Sequence, residues 1–279
     1  MDLPLAKVLS ITIALFIFVS MFNLGLDLTI RQIVEPLRNR RLLANSLAAN
    51  VVVVPLLALL LTLIFPLDAP TKIGLLLYGC CIGSEAAPKF AQVAGGNTAF
   101  AVALLGIFLP ITVIGVPFAL AQAFPEVHIA QGLLVVKLLF IVALPMGVGL
   151  LIRAKRNDLA TRLSPLMHRV SSLFLLFVFL LVIYVNYEKF IALQSATLIA
   201  GVVFFPLAFA AGYVFGGPEQ INRRALGIMT VVRGGSISML IAGQAFPHDP
   251  TVLVIATVMT ALSVALVVPG AYLIKRIPI

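Results

Sequence analysis

The chain has 279 residues, of which 62% are hydrophobic and only 10% are charged, and its mean hydropathy is +1.16. Soluble domains average about half apolar and about a quarter charged residues, so this composition excludes a soluble globular domain. A bilayer core takes about 20 apolar residues per helix, which allows about nine spans joined by short loops. The composition therefore predicts an all-α polytopic membrane protein.

Nine apolar segments follow one another along the chain. They cover residues 5–27, 42–65, 72–94, 97–122, 131–153, 167–187, 192–216, 221–244 and 250–273. The longest polar connections are 28–41 and 154–166. No basic region followed by a cleavage site marks the first segment as a signal peptide, so we expect a retained span. We expect residues 1–279 to form a single transmembrane domain.

The basic residues are unevenly distributed over the predicted loops. With the N-terminus outside, three fall on the outer side, namely Lys7, Lys72 and Lys189. Thirteen fall on the cytoplasmic side: Arg31, Arg38, Arg40, Arg41, Arg153, Lys155, Arg156, Arg162, Arg169, Arg223, Arg224, Lys275 and Arg276. The positive-inside rule then predicts an outer N-terminus and a cytoplasmic C-terminus in a plasma (inner) membrane. It also accounts for the net charge of +9 without a nucleic-acid partner.

A sequence repeat recurs at an interval of 151 residues. Residues 49–56 resemble residues 200–207, and the same interval relates Asp68 to Glu219, Lys72 to Arg223, Leu75 to Leu226, and Gly83 to Gly234. The repeated spans are five helices apart, so the two copies have opposite orientations in the membrane. Inverted repeats are typical of secondary transporters. We predict one repeat over about 1–122 and the other over about 131–279.

The third and eighth spans contain residues that interrupt helices at equivalent positions of the repeat. The third contains Gly83, Ser84 and Pro88, and the eighth contains Gly234 and Gly235. Proline removes a backbone donor and glycine tolerates irregular backbone. Irregular backbone at membrane depth is tolerated only against protein or water, and paired interruptions mark the sites of transporters. We predict that the two breaks cross near the bilayer midplane.

Three charged residues, Glu85, Lys89 and Arg233, lie near the middle of these two spans. Insertion of each such charged side chain at the centre of a membrane helix costs about 2.5–3.5 kcal/mol. If the third span stayed helical, Glu85 and Lys89 would face each other. A buried ion pair supported by Arg233 is one interpretation; an anion-binding site is the other, and we favour it. Its predicted residues are Lys89, Arg233, Glu85, Asn50, Ser84, Gly234, Gly235, Ser236, Pro88 and Thr230.

The remaining polar residues of the apolar segments predict no enzyme, metal or cofactor site. Lys137 lies near the end of its span, where a lysine can extend to the outer interface. The histidines His128, His168 and His248 lie in or next to predicted loops without metal-ligand spacing. Cys80 and Cys81 are read as small apolar residues.

Several motifs, in this order, resemble the bile acid:sodium symporter family of secondary transporters. They are Met21–Thr29, Gly79–Gly83, Gly96-Asn97 and Arg223–Leu226, followed by the glycine-interrupted span. The resemblance extends over nearly the whole chain and fits the nine-span form of the family. It implies a core domain with two crossing broken helices and a panel domain that moves against it.

Most of the sodium ligands that this resemblance implies are missing. Only one amide remains, as Asn50; the other ligand positions align with Ala87, Pro88, Thr230, Gly234, Ala101 and Leu105. Sodium is a hard cation that prefers oxygen ligands, as calcium and magnesium do. Lys89 and Arg233 stand close to the lost ligands in the alignment, which suggests tethered cations in place of the two ions.

We therefore predict a secondary transporter of a small organic anion that works by alternating access and is not driven by sodium. Lys89 is the candidate for proton coupling, and Arg233 is a permanent positive charge. A uniporter or an exchanger fits equally well. The alternatives are a sodium symporter that uses backbone carbonyls and Asn50, and a non-transporting membrane sensor or interaction protein. The sequence leaves the oligomeric state open, and a monomer is compatible with it.

Overall fold

The computed structural model describes residues 3–34, 39–123, 131–247 and 249–276. Within these ranges the chain forms helices joined by short connections and no strand. The helices are α1 Leu3–Asp27, α2 Ile30–Val34, α3 Arg40–Ile64, α4 Ala69–Cys80, α5 Ala87–Val93, α6 Thr98–Ala123, α7 Gln131–Lys155, α8 Asn157–Val185, α9 Tyr187–Ile191, α10 Ser195–Phe215, α11 Gln220–Val231, α12 Gly235–Ala245 and α13 Pro250–Arg276.

The predicted all-α membrane architecture is confirmed. In the described residues, eight helical segments are long and apolar enough to cross a membrane. The predicted third span is not among these eight, because it is divided into the short helices α4 and α5. Large apolar side chains such as Leu63, Leu173 and Tyr184 are mostly exposed. Such surfaces require lipid because water would not solvate them favourably.

The predicted polar connection 154–166 is almost entirely helical. Helix α7 ends at Lys155, and α8 begins at Asn157 and runs for 29 residues. A helix of that length exceeds the roughly 20 residues that a bilayer core requires, so its polar first turns extend past the apolar zone. As a consequence His168 lies inside α8 rather than beside a loop. His128 and His248 lie outside the described residues.

The helices pack in two groups. Helix α1 packs along α7 and α8 and forms the panel group, whereas α4, α5 and α10–α13 pack on one another in the core group. Glycines bring α1 and α7 into backbone contact: a Cβ added to Gly149 would lie 2.5 Å from the carbonyl oxygen of Phe22 and 2.9 Å from Gly25. Small residues of this kind allow close packing of membrane helices.

Both predicted breaks are present, and they touch. The first covers residues 81–86 and the second residues 232–234. The Gly234 N–H donates to the carbonyl of Cys81 at 3.0 Å, and Gly83 has a φ of +86°, a conformation that favours glycine. Helices α4 and α11 begin and end 151 residues apart, as do the ends of α3 and α10. The interval found in the sequence therefore reappears in the helix boundaries.

Candidate transport site

Arg233 is buried beside the crossing, with 1% of its surface exposed. Its guanidinium donates to three oxygen atoms on two other helices. Nη2 lies 3.0 Å from the carbonyl oxygen of Asn50, Nη1 lies 3.4 Å from Asn50 Oδ1, and Nε lies 3.3 Å from the carbonyl oxygen of Tyr78. The predicted proximity of Arg233 and Asn50 is thus observed, and Tyr78 is an additional partner.

The carbonyl of Asn50 is free to accept a hydrogen bond from Arg233 because the backbone around it departs from the α-helical pattern. Residues Ala48–Val53 form a π-helical segment of α3, in which the Val54 N–H donates to Ala49 rather than to Asn50. The next residue, Pro55, has no N–H to donate. The Asn50 carbonyl is therefore left without a helical donor, and it accepts from Arg233 instead. Single-turn π segments frequently occur at functional sites.

The carbonyl of Tyr78 belongs to the last turn of α4, which ends at Cys80. The last four carbonyls of a helix have no intrahelical donors, and together they give that end a partial negative charge. Half-helix ends and unwound carbonyls are the groups that coordinate a coupling cation in broken-helix transporters. In this structure the guanidinium of Arg233 donates to such a helix-end carbonyl, that of Tyr78, and to the unwound carbonyl of Asn50.

Glu85 lies in the first break and joins the two groups of helices. It accepts from the hydroxyl of Ser20 on α1 at 3.3 Å and from that of Ser236 on α12 at 3.5 Å. Ser236 is 151 residues from Glu85, so residues equivalent by the repeat meet at the crossing, as Gly83 and Gly234 do.

Lys89 has a different environment from the one that the sequence predicts. The break separates it from Glu85, so the two no longer face each other along one helix. Its Nζ instead lies 2.8 Å from Nε2 and 3.0 Å from Nδ1 of His168 on α8. Lys89 and Arg233 therefore do not share one pocket: Arg233 faces α3 and α4, whereas Lys89 faces the panel group.

A cavity of about 190 Å³ lies between α1, α8 and the first break. One wall carries the polar side chains Ser20, Asn23 and Asp27 of α1, and the other carries His168, Ser171 and Ser172 of α8; Glu85 and Lys89 lie between them. Asp27 accepts from the hydroxyl of Ser164 at 2.5 Å.

Asn23 is nine-tenths buried in the wall of this cavity, and its Oδ1 has no hydrogen-bond partner among the described residues. Buried acceptors without partners are uncommon, and they cost free energy unless a ligand or water satisfies them. Asn23 is therefore a buried side chain at the wall of the cavity with an unused acceptor.

The other predicted site residues lie around the crossing but do not all face it. Ser84 Oγ accepts from the Ala86 N–H at 3.3 Å, and Pro88 is buried in the first turn of α5. Gly235 packs against Thr260, where a Cβ would lie 2.4 Å from the hydroxyl oxygen. Thr230 points away: its hydroxyl donates to Gly227 and lies beside Gly212 of α10.

The polar residues of the panel group were not among the site residues predicted from the sequence. Ser20, Asn23 and Asp27 are spaced three and four apart, which places them on one face of a helix. That spacing was a usable signal in an otherwise apolar span. Ser171 and Ser172 lie three and four residues after His168, so these three side chains also share one face of a helix. Lys137, predicted to extend to the interface, is exposed and donates to Gln244 at 3.0 Å.

Comparison with known proteins finds one family model and two relatives that all refer to sodium-dependent or bile acid transport. A sequence model of the Sodium Bile acid symporter family matches residues 14–194. The uncharacterized sodium-dependent transporter YocS of Bacillus subtilis (strain 168) is 27% identical over 205 residues, which are 73% of this chain and 63% of that protein. Sodium/bile acid cotransporter 4 of Mus musculus is 27% identical over 226 residues, which are 76% of this chain and 50% of that protein. The chain thus spans half to under two thirds of the length of these relatives.

Proposed function

The chain belongs to the Sodium Bile acid symporter family, and we propose that it is a secondary transporter that moves a small organic anion by alternating access without sodium. The proposed substrate site is the cavity between the panel group and the first break. The proposed place of the coupling cation is the guanidinium of Arg233. We further propose the orientation predicted by the basic loops, with the N-terminus outside.

Sodium independence rests on a single observation, the position of Arg233. A sodium site needs several oxygen ligands that converge on an empty volume. In this chain two carbonyls and one amide oxygen converge, but the guanidinium already bonds all three. The other ligand positions that the family resemblance implies carry Ala87, Pro88, Gly234, Ala101 and Leu105, whose side chains offer no oxygen, and Thr230, whose hydroxyl donates to the carbonyl of Gly227 away from the crossing.

The size of the cavity and the ammonium group of Lys89 support a small carboxylate as substrate; the carboxyl groups of Asp27 and Glu85, which also line the cavity, are engaged by serine hydroxyls. Pockets for drug-sized ligands measure about 300–1,000 Å³, and this cavity measures about 190 Å³. Lys89 supplies a cation, His168 and the serines supply hydrogen-bonding groups, and Asn23 supplies an acceptor. A compact hydroxycarboxylate satisfies these groups and matches the size of the cavity better than a bile acid does.

Two other functions remain to be separated by experiment. A sodium-coupled symporter is the second candidate, because both relatives carry sodium in their names. A non-transporting sensor on the same scaffold is the third, and direct observation of transport by the purified protein would exclude it.

The test is uptake of radiolabelled small mono- and dicarboxylates by purified protein in liposomes, in sodium and in choline buffer, with a bile acid as the bulky comparison. We expect uptake of a small carboxylate at equal rates in the two buffers. Lys89→Ala should abolish uptake, Lys89→Arg should retain part of it, and Lys137→Ala is the matched control because that lysine bonds Gln244 away from the cavity. Uptake that requires sodium would establish the second candidate instead.

A further inference from the structure

The contact between Lys89 and His168 joins the core group to the panel group. Lys89 belongs to α5, which follows the first break, and His168 belongs to α8. Both side chains line the cavity, and Lys89 Nζ is within 3.0 Å of both ring nitrogens. A neutral imidazole can accept a proton of an ammonium group at this distance, whereas a protonated imidazole has no lone pair to offer.

Two carboxyl groups face this pair from neighbouring elements. Asp27 on α1 is engaged by Ser164, and Glu85 in the break is engaged by Ser20 and Ser236. Within the described part of the chain, neither forms an ion pair with Lys89. With His168 neutral, the pair carries one positive charge. With His168 protonated it carries two that repel each other at this separation, and an anion between them relieves the repulsion.

We propose that the protein carries one proton with each anion, and that His168 holds this proton. The inference rests on the proposed transport function and identifies its coupling ion. The proton comes from water on the side to which the cavity is open and binds a ring nitrogen of His168. The carboxylate of the substrate then lies between the ammonium of Lys89 and the imidazolium of His168.

Coupling follows from reciprocity of binding. If a bound carboxylate stabilises the imidazolium, then protonation strengthens carboxylate binding by the same factor. Histidine is the side chain that ordinarily changes charge between about pH 5 and 8. Loaded with both ions, the pair no longer joins α5 directly to α8. The two groups of helices are then free to move relative to each other, and the proton is released with the anion on the far side.

The experiment measures proton binding by detergent-purified protein on addition of lactate, with a pH indicator in weakly buffered solution. The variant His168→Gln keeps a hydrogen-bonding partner for Lys89 but cannot titrate. His128→Gln, at another of the three histidines, is the control that separates the effect of losing His168 from the effect of replacing any histidine by glutamine. The same three proteins are reconstituted in liposomes for lactate uptake with and without an outside-acid pH gradient.

We expect the wild type and His128→Gln to take up about one proton per bound lactate, with a Kd that rises about tenfold per pH unit above the titration of His168. Their uptake should rise with the gradient. His168→Gln should bind lactate without proton uptake, and its rate of lactate uptake should not change with the pH gradient. Two results would overturn the inference without contradicting the proposed function. One is lactate binding by the wild type without proton uptake, and the other is an unaltered response of His168→Gln to the gradient. If the wild type neither binds nor transports lactate or any other small carboxylate, the proposed function itself fails.

Discussion

Replacement of Arg233 by alanine should create a cation site where the guanidinium now lies. The change removes one short hydrogen bond, of 3.0 Å to the carbonyl of Asn50, and two long ones of 3.3 and 3.4 Å. Hydrogen bonds of charged donors contribute about 1.5–3 kcal/mol each at good geometry, and long ones contribute less. Removal of the buried charge offsets part of the loss. We expect a net destabilisation of about 3 kcal/mol.

The expected fall in the melting temperature is roughly 6–12 °C on the scale of soluble domains. The vacated space is surrounded by the same three oxygens, so small cations should stabilise the variant. An ion at ten times its Kd contributes about 1.4 kcal/mol, which restores roughly 3–5 °C. Sodium or guanidinium chloride at low millimolar concentration should therefore raise the melting temperature of Arg233→Ala but not that of the wild type.

Arg223→Ala is the matched control for this prediction. Arg223 lies on α11, the helix that precedes the second break. It donates to the carbonyl of Tyr213 at 3.2 Å and stacks over that ring at 5.0 Å, away from the breaks. Its loss should cause no ion-specific stabilisation. The interpretation of Arg233 would be refuted if Arg233→Ala responded to sodium and guanidinium no more than to choline, or if sodium already stabilised the wild type.

Three further predictions concern packing and the cavity. Gly149→Ala should destabilise the protein by about 1–3 kcal/mol because its methyl group would lie 2.5 Å from a carbonyl oxygen of α1, whereas Gly147→Ala, with nothing within 4 Å, should be neutral in a thermal melt. Gly83→Ala should reduce transport and stability together, since φ is +86° and Phe108 lies 3.1 Å from the added carbon; a wild-type melting temperature would contradict this. Asn23→Leu should preserve the melting temperature but raise the Kd for a hydroxycarboxylate by about tenfold relative to the deoxy analogue, and an equal loss for both anions would refute the predicted hydroxyl contact.

The architecture could be predicted from the sequence because its signals are local. Apolar length defines the spans, and glycine and proline define the breaks, so neither depends on knowing which helices are neighbours. The 151-residue interval was also readable, and the boundaries of α4 and α11 reproduce it. The depth of the crossing in the bilayer stays a prediction.

The partners of the charged residues could not be predicted, because they depend on the rotation and neighbours of whole helices. Thr230 lies within the predicted segment, yet the packing of α11 on α10 turns its hydroxyl toward Gly212. Lys89 meets His168 across 79 residues of sequence, and no periodicity in either segment indicates that pairing. The free carbonyl of Asn50 depends on a local π segment, for which Pro55 was the only visible signal.

The most direct test of the central claim is the entry of radioactive sodium during anion uptake by reconstituted wild-type protein. If Arg233 stands in the place of the coupling cation, sodium entry should not rise above that of protein-free liposomes while the anion accumulates. Sodium entry in fixed proportion to the anion would contradict the account and show that the protein is a sodium symporter.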